Sequence, residues 1–224
     1  ASNQTKTYGF GGTSASLGAS GVMSSGLVNG ETIGAVTLTT NDTTSTSGNY
    51  KVGTYTLTPS AATGGTFDPN NYTITYDNAP TGLTVNQLGL TVSATGINKS
   101  YDGTKAATVT LSDNHIAGDT VTDAYTDASF ASPKVANNIA VSVTGISISG
   151  ADAGNYSANT TASTKADITA AALTITAKDQ TQTYGFGGTS ASLGTTGFTS
   201  SGLVNGETIG GVTLTTNDTL SGSK

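Results

Sequence analysis

Three aspartates, Asp119, Asp123 and Asp127, recur at every fourth residue, with Asp113 close by. Calcium is bound by several carboxylate and carbonyl oxygens on a flexible loop, so this stretch is a weak calcium candidate. It lacks dense Asp-x-Asp spacing, and solvated turn acids are the stronger reading. No other cofactor is expected. Glu31 and Glu207, the only glutamates, both follow an Asn-Gly pair, and Asp119 takes the corresponding place after Gly118. A catalytic pair needs two carboxyl groups together, and each of these segments supplies one. The acids therefore read as turn residues that accept backbone hydrogen bonds. His115 is the single histidine, and Cys, Trp and Arg are absent. No set of acid, base and nucleophile can be assembled, so no enzyme is expected. Sugar stacking would need exposed aromatic rings, and Tyr50 and Tyr125 are the candidates for it.

Composition narrows the partners. The net charge is −6 and only 10% of residues are charged. With no Arg for phosphate or base contacts, nucleic acid is excluded as a partner. No apolar run approaches the ~18–20 residues of a membrane-spanning helix, so no membrane insertion is expected from this segment. Threonine and serine supply 45 and 25 of the 224 residues. They alternate with apolar residues in Val36–Thr39, Thr54–Thr58, Tyr72–Tyr76, Leu90–Ala94, Ala107–Leu111, Ile139–Val143 and Ile146–Ile148. Period-two alternation predicts strands with one apolar and one hydroxyl face. Helix should be negligible, with at most a short turn near Ala15–Leu17. Asn-x-Ser/Thr occurs at Asn3, Asn41, Asn71, Asn98, Asn155, Asn159 and Asn217. So Asn-rich and hydroxyl-rich a chain reaches about that number by chance, and glycosylation is left open.

The elements that carry these residues repeat. Gln4–Asp42 returns as Gln180–Asp218, with six differences in 39 positions. Inside the 176-residue unit lies a weaker repeat. Val28-Asn29-Gly30-Glu31 matches Ile116-Ala117-Gly118-Asp119, and Asn71-Tyr72 matches Asn155-Tyr156. Three segments follow: 1–88, 89–172, and a partial copy of the first at 173–224. Both ends read as cuts through a longer array. The all-β pattern and module size favour tandem antiparallel β-sandwiches, Ig-like, with a β-grasp-like fold as the alternative.

Several motifs now carry a family resemblance. Tyr8-Gly9, Gly26–Glu31, Val52–Leu57, Asn71–Ile74 and Leu83-Thr84-Val85 resemble the MBG domain of the Tyr-Gly type. Tyr101-Asp102-Gly103-Thr104, Gly118–Val121 and Ala153–Tyr156 resemble the YDG domain. Tyr184-Gly185 repeats the first motif. Phe10-Gly11-Gly12 departs from the acidic and proline residues that often follow Tyr-Gly. The resemblance implies repeats of large bacterial surface adhesins, filamentous-haemagglutinin-like proteins among them. A stalk or spacer at the bacterial cell surface, outside the cell, would follow, with neighbouring copies of the repeat as partners. In this reading Tyr8, Tyr101 and Tyr184 are buried packing residues, and Asp102 closes a tight turn. Two rivals stand beside it. The modules could bind host or matrix glycans, or the chain could polymerise into fibres, with Leu173–Ala177 of one chain adding a strand to the first module of another.

Overall fold

Alternation converts directly into strands. The computed structural model describes residues 1–19, 21–187 and 190–216, and they divide into two units. The first unit is 1–95, 109–128 and 142–164; the second is 96–108, 129–141 and the residues from 165 onward. The fold is all-β and sandwich-like.

In the first unit, β1 (Gln4–Thr7), β2 (Ile33–Thr40), β3 (Gly53–Gly65) and β4 (Ala79–Asn86) form one sheet in the order β1-β4-β3-β2. The pairs β2–β3 and β3–β4 are antiparallel. β1 runs parallel to β4, with Gln4 opposite Leu83 and Thr7 opposite Asn86. Strand direction leaves no trace in alternation, so the parallel pair is visible only in the fold. Val36, Leu38, Leu57, Leu83 and Val85 are buried, while Thr37 and Thr39 face out. The one helical turn of this sheet's surroundings, α1 (Ser14–Leu17), buries Leu17. It falls where the sequence placed it.

Tyr72–Tyr76 does not form the expected strand. A 3₁₀ turn at Pro69–Asn71 precedes it, and its tyrosine hydroxyls replace a ladder. Tyr72 accepts from the Val28 N–H at 3.3 Å, and Tyr76 from the Ala62 N–H at 2.8 Å. Phe67, Val36 and Ala62 form a small core against which Tyr72, Val22, Leu27 and Ile33 pack.

The chain then passes from β4 to β5 (Leu88–Leu90) through Gln87 alone. β6 (Ser93–Gly96), β7 (Lys99–Ser100), β8 (Val109–Ser112), β9 (Thr122–Ala124), β10 (Asp127–Phe130), β11 (Ala136–Thr144) and β12 (Ser147–Ser149) follow. After a second 3₁₀ turn, Ala153–Asn155, come β13 (Tyr156–Ala158) and β14 (Thr161–Thr169). Within the first unit, β13 runs parallel to β5 and β12 antiparallel to β9. The second unit holds β7 and most of β11 and β14, strands of a sheet ordered β10-β11-β14-β7, with β14 parallel to β7. Phe130, Val141 and Ile168 are its deeply buried side chains. The unit ends with β15 (Thr174–Ala177) antiparallel to β16 (Phe198–Ser201), and between them lies a helical turn, α2 (Ser190–Leu193).

Candidate functional site

Burying a polar group without a partner costs free energy, so buried polar residues mark where a fold is specified. Among the described residues four polar side chains are buried: Ser45, Asp119, Asp152 and Asn155. All four lie where the first β-sheet module meets the segment that starts at β5.

Asp119 sits in a turn built from Ile116-Ala117-Gly118, and its N–H donates to the Ile116 carbonyl at 3.0 Å. One carboxylate oxygen, Oδ2, accepts from the Tyr8 hydroxyl at 2.6 Å and from the Tyr156 hydroxyl at 2.5 Å. The other, Oδ1, accepts from the Ser47 N–H at 3.1 Å. Tyr8 also bonds to Ser45 Oγ at 2.6 Å, and the Tyr8 and Tyr156 rings meet edge to face at 5.3 Å. Tyr8 is positioned by the ladder itself, since its N–H continues the β1–β4 pairing to the Asn86 carbonyl at 2.9 Å. Tyr156 is positioned by the 3₁₀ turn before it and accepts from the Ile116 N–H at 3.0 Å.

Asp152 forms a second contact of the same kind. It accepts from the Thr46 hydroxyl and from the Thr120 N–H at 2.9 Å. Asn155 Oδ1 accepts from the Val52 N–H at 3.0 Å, and Gln87 Nε2 donates to the Gly154 carbonyl at 3.1 Å. Hydrogen bonds to an ionised carboxylate are roughly twice as strong as neutral ones. Gly9, at φ +94°, brings its Cα against this turn; a Cβ there would stand 2.7 Å from Ile116 Cδ1.

The electrostatics follow from these donors. Burial, the largest influence on Asp119, raises its pKa, but hydrogen bonds from Ser47, Tyr156 and Tyr8 outweigh it and hold the carboxyl below its ordinary value. Burial likewise raises Asp152, and the Thr120 and Thr46 donors bring it below the ordinary value. Burial and the Asp119 carboxylate push the Tyr8 and Tyr156 phenols up. Carboxylates with depressed pKa add stability that is present above about pH 3.9 and is lost as pH falls through the folded value. Phenols with raised pKa add stability that is present below about pH 10 and is lost above it. Protection of the Ser47 and Thr120 amides against hydrogen exchange, corrected for intrinsic rate, should therefore be flat between about pH 5 and 9 and fall on both sides. The readout is local because burial raises Asp42 and Asp123, which act on global stability with the opposite sign at acid pH.

The sequence-selected residues distribute as follows. Asp119, Asp123 and Asp127 are not brought together. Asp119 is committed to tyrosines, burial and the neighbouring Asp113 raise Asp123, and Asp127 is exposed. Among the described residues no group of three or more His, Cys, Asp or Glu is arranged to hold a metal ion. Tyr50 corrects an expectation: it is buried at 8% exposure, its ring 5.8 Å from that of Phe10, because the Thr44–Tyr50 bridge folds it under the loop. It offers no stacking face. Tyr125 is half-buried, with its hydroxyl accepting from the Val109 N–H at 3.4 Å. His115 bonds to Asp113 through its N–H at 2.8 Å. Asn155 is buried as the Val52 acceptor, and Asn217 lies outside the described residues.

In Tyr101-Asp102-Gly103, Asp102 closes the turn as expected. It accepts from the Thr104 N–H at 2.8 Å and from Lys99 Nζ at 2.8 Å, and the Lys99 bond is the leading reason its pKa drops to about 2. Gly103 takes φ +74°. Tyr101 is half-buried rather than buried; its hydroxyl reaches outward to Glu207 Oε1 at 2.7 Å. Tyr184 is 94% exposed and Gly185 has φ +89°. The buried slot expected for Tyr184 is the one that Ser45, Asp119 and Tyr156 make around Tyr8. Sequence reasoning missed Ser45, Thr46, Ser47 and Asp152. A signal for Asp152 existed, because it precedes Tyr156 by four residues as Asp68 precedes Tyr72.

No curated protein and no solved structure matches the chain. Two family models do. One, the MBG domain of the YGX type, matches residues 1–81, and the other, the YDG domain, matches residues 86–165. Tyr8, Ser45 and Thr46 fall in the first match, and Asp119, Asp152 and Tyr156 in the second. The chain thus carries an MBG domain followed by a YDG domain, two domains found in the repeat regions of surface proteins, and its buried polar cluster is their junction.

Proposed function

We propose that this chain is a stalk segment of a secreted bacterial surface adhesin, working outside the cell as a stiff spacer between an anchor and a binding tip. It is not an enzyme in this reading, needs no cofactor, and has neighbouring repeats as its partners. One observation carries the reading: the buried polar side chains of the described residues gather at the MBG–YDG junction, where they fix one domain on the other. A flexible tether would leave such a junction hydrated, and a single linker residue, Gln87, leaves little slack.

The absence of cysteine allows a direct test. Spin labels on Cys introduced at the exposed Thr81 and Thr122 should give one narrow distance distribution by pulsed electron paramagnetic resonance, and Asp119→Ala should broaden it. A broad distribution in the parent protein would sink the spacer reading. Saturable binding to a glycan array would replace it with a recognition role.

A second reading has its own support. Phe198–Ser201 pairs with β15, whereas the counterpart 176 residues earlier, Val22–Ser25, is in no strand. Val22–Ser25 instead lines a cleft of about 210 Å³ together with Val36, Phe67 and Tyr72. A strand like Thr174–Ala177 of another chain would pair there by strand addition. Sedimentation over a wide concentration range decides it, and a monomer throughout rejects it.

A further inference from the structure

The turns that carry Glu31, Asp119 and Glu207 are built alike. Glu31, Asp119 and Glu207 each donate their N–H to the carbonyl three residues back, at 3.0 Å in every case. In the MBG domain, Tyr72 accepts from the Val28 N–H and donates to Glu31 Oε2. In the YDG domain, Tyr156 accepts from the Ile116 N–H and donates to Asp119 Oδ2. Glu31 and Asp119 therefore each take a phenol from the tyrosine that follows the 3₁₀ turn of its own domain.

Asp119 and Glu207 take a phenol from the domain that precedes them in the chain. Tyr8 of the MBG motif reaches Asp119, and Tyr101 of the YDG motif reaches Glu207. Both contacts place a glycine of the donor motif against the receiving turn. A Cβ on Gly9 would stand 2.7 Å from Ile116, and one on Gly103 would stand 2.1 Å from Asn205 Nδ2. Leu27–Ile33 and Leu203–Ile209 are identical in sequence, and Asn29 and Asn205 share φ 52°.

We propose that the Asn29-Gly30-Glu31 turn, with Tyr72, is a receptor for the Tyr-Asp-Gly loop of another YDG domain. The loop would seat its glycine against Asn29 and give its phenol to Glu31, as Tyr101 does to Glu207. Glu31 would then hold two phenols, its own Tyr72 and the incoming one, as Asp119 does. The joint is directional, since Tyr8 and Tyr101 each serve the turn acid of the domain after their own. It also does not depend on the stalk reading: a compact assembly of the same domains would use the same receptor.

The test lengthens the full chain by placing a second copy of its residues 89–176 ahead of Ala1. The added Tyr101 then stands 106 residues before Glu31, the separation of Tyr101 and Glu207. Opening of the MBG domain is read by hydrogen exchange at Thr66 and Phe67, whose amides bond to Thr32. In the lengthened chain, Glu31→Gln and the added copy's Tyr101→Phe should each speed opening about 5-fold, and the double change no more than either alone. Glu31→Gln in the parent chain measures the loss of the Tyr72 contact and is subtracted. The pair Tyr101→Phe and Glu207→Gln supplies the standard for an occupied joint. If the two changes multiply independently, or the added tyrosine can be changed without effect, the proposal is overturned. Either result leaves the spin-label distances, and with them the stalk reading, untouched.

Discussion

Asp119→Ala should destabilise the first unit by about 3–5 kcal/mol, measured by urea unfolding followed through tyrosine fluorescence. The change removes one acceptor and strands several donors. The Tyr8 and Tyr156 hydroxyls both lose a charged partner, and so does the Ser47 N–H. A buried donor left without a partner costs about 1–3 kcal/mol. Tyr8 retains Ser45, which keeps the sum below three full penalties. Asp119→Asn keeps an acceptor oxygen and should lose only about 1–2 kcal/mol. Equal costs for the two changes would mean that shape, and not acceptance of the phenols, is what the site requires. A cost below about 0.5 kcal/mol for the alanine change would mean that water reaches the junction readily.

Phe130→Ala should cost the second unit a similar amount, about 3–5 kcal/mol, for a different reason. Phe130 is 1% exposed, and its N–H donates to the Lys105 carbonyl at 2.7 Å. Removing the ring leaves a cavity that close-packed strands cannot collapse to fill. It also removes the surface under the Lys99 ammonium, which lies 5.4 Å from the ring centroid. Lys99 bonds to Asp102 and to the Thr104 and Ala106 carbonyls, so the Tyr-Asp-Gly turn should loosen as well. Faster exchange of the Thr104 amide in the variant is the accompanying sign. Phe130→Leu, which keeps most of the volume, should cost less than about 1.5 kcal/mol. Should the Thr104 amide stay protected while stability falls, the ring serves the core alone.

These two positions differ in how far the sequence announced them. Phe130 is one apolar residue among many, and nothing local separates it from the half-buried Leu111. Asp119 was marked as a turn acid by its match to Glu31, and the turn is as expected. Its partners were not legible. Tyr8 lies 111 residues away in the chain, and Ser45 and Ser47 are two of 25 serines. Alternation is a local property, because a strand's side chains point up and down by geometry alone. Which acid meets which hydroxyl depends on where two sheets stop and how one is set on the other.

Tyr50 and Tyr184 show the same limit from opposite sides. Tyr50 read as an exposed loop aromatic, and the Thr44–Tyr50 bridge buries it. Tyr184 has the same neighbours in sequence as Tyr8 and is 94% exposed, while Tyr8 is buried. Identical residues meet different fates because burial belongs to the partner surface and not to the motif. Likewise Tyr72–Tyr76 alternates as well as any strand, yet its hydroxyls find Glu31 and the Ala62 N–H in place of a ladder.

By itself the sequence determined the material of this protein: strands apolar on one side and hydroxyl-bearing on the other, glycine and asparagine turns between them, and a repeat carrying the MBG and YDG motifs. Those are consequences of residue type and spacing, which act over a few positions. The tertiary structure alone decided the parallel pairing of β1 with β4 and the gathering of Ser45, Asp119, Asp152 and Asn155 into one junction. Both join residues far apart in the chain, and only packing in three dimensions can choose among the many hydroxyls and carboxylates that composition makes available.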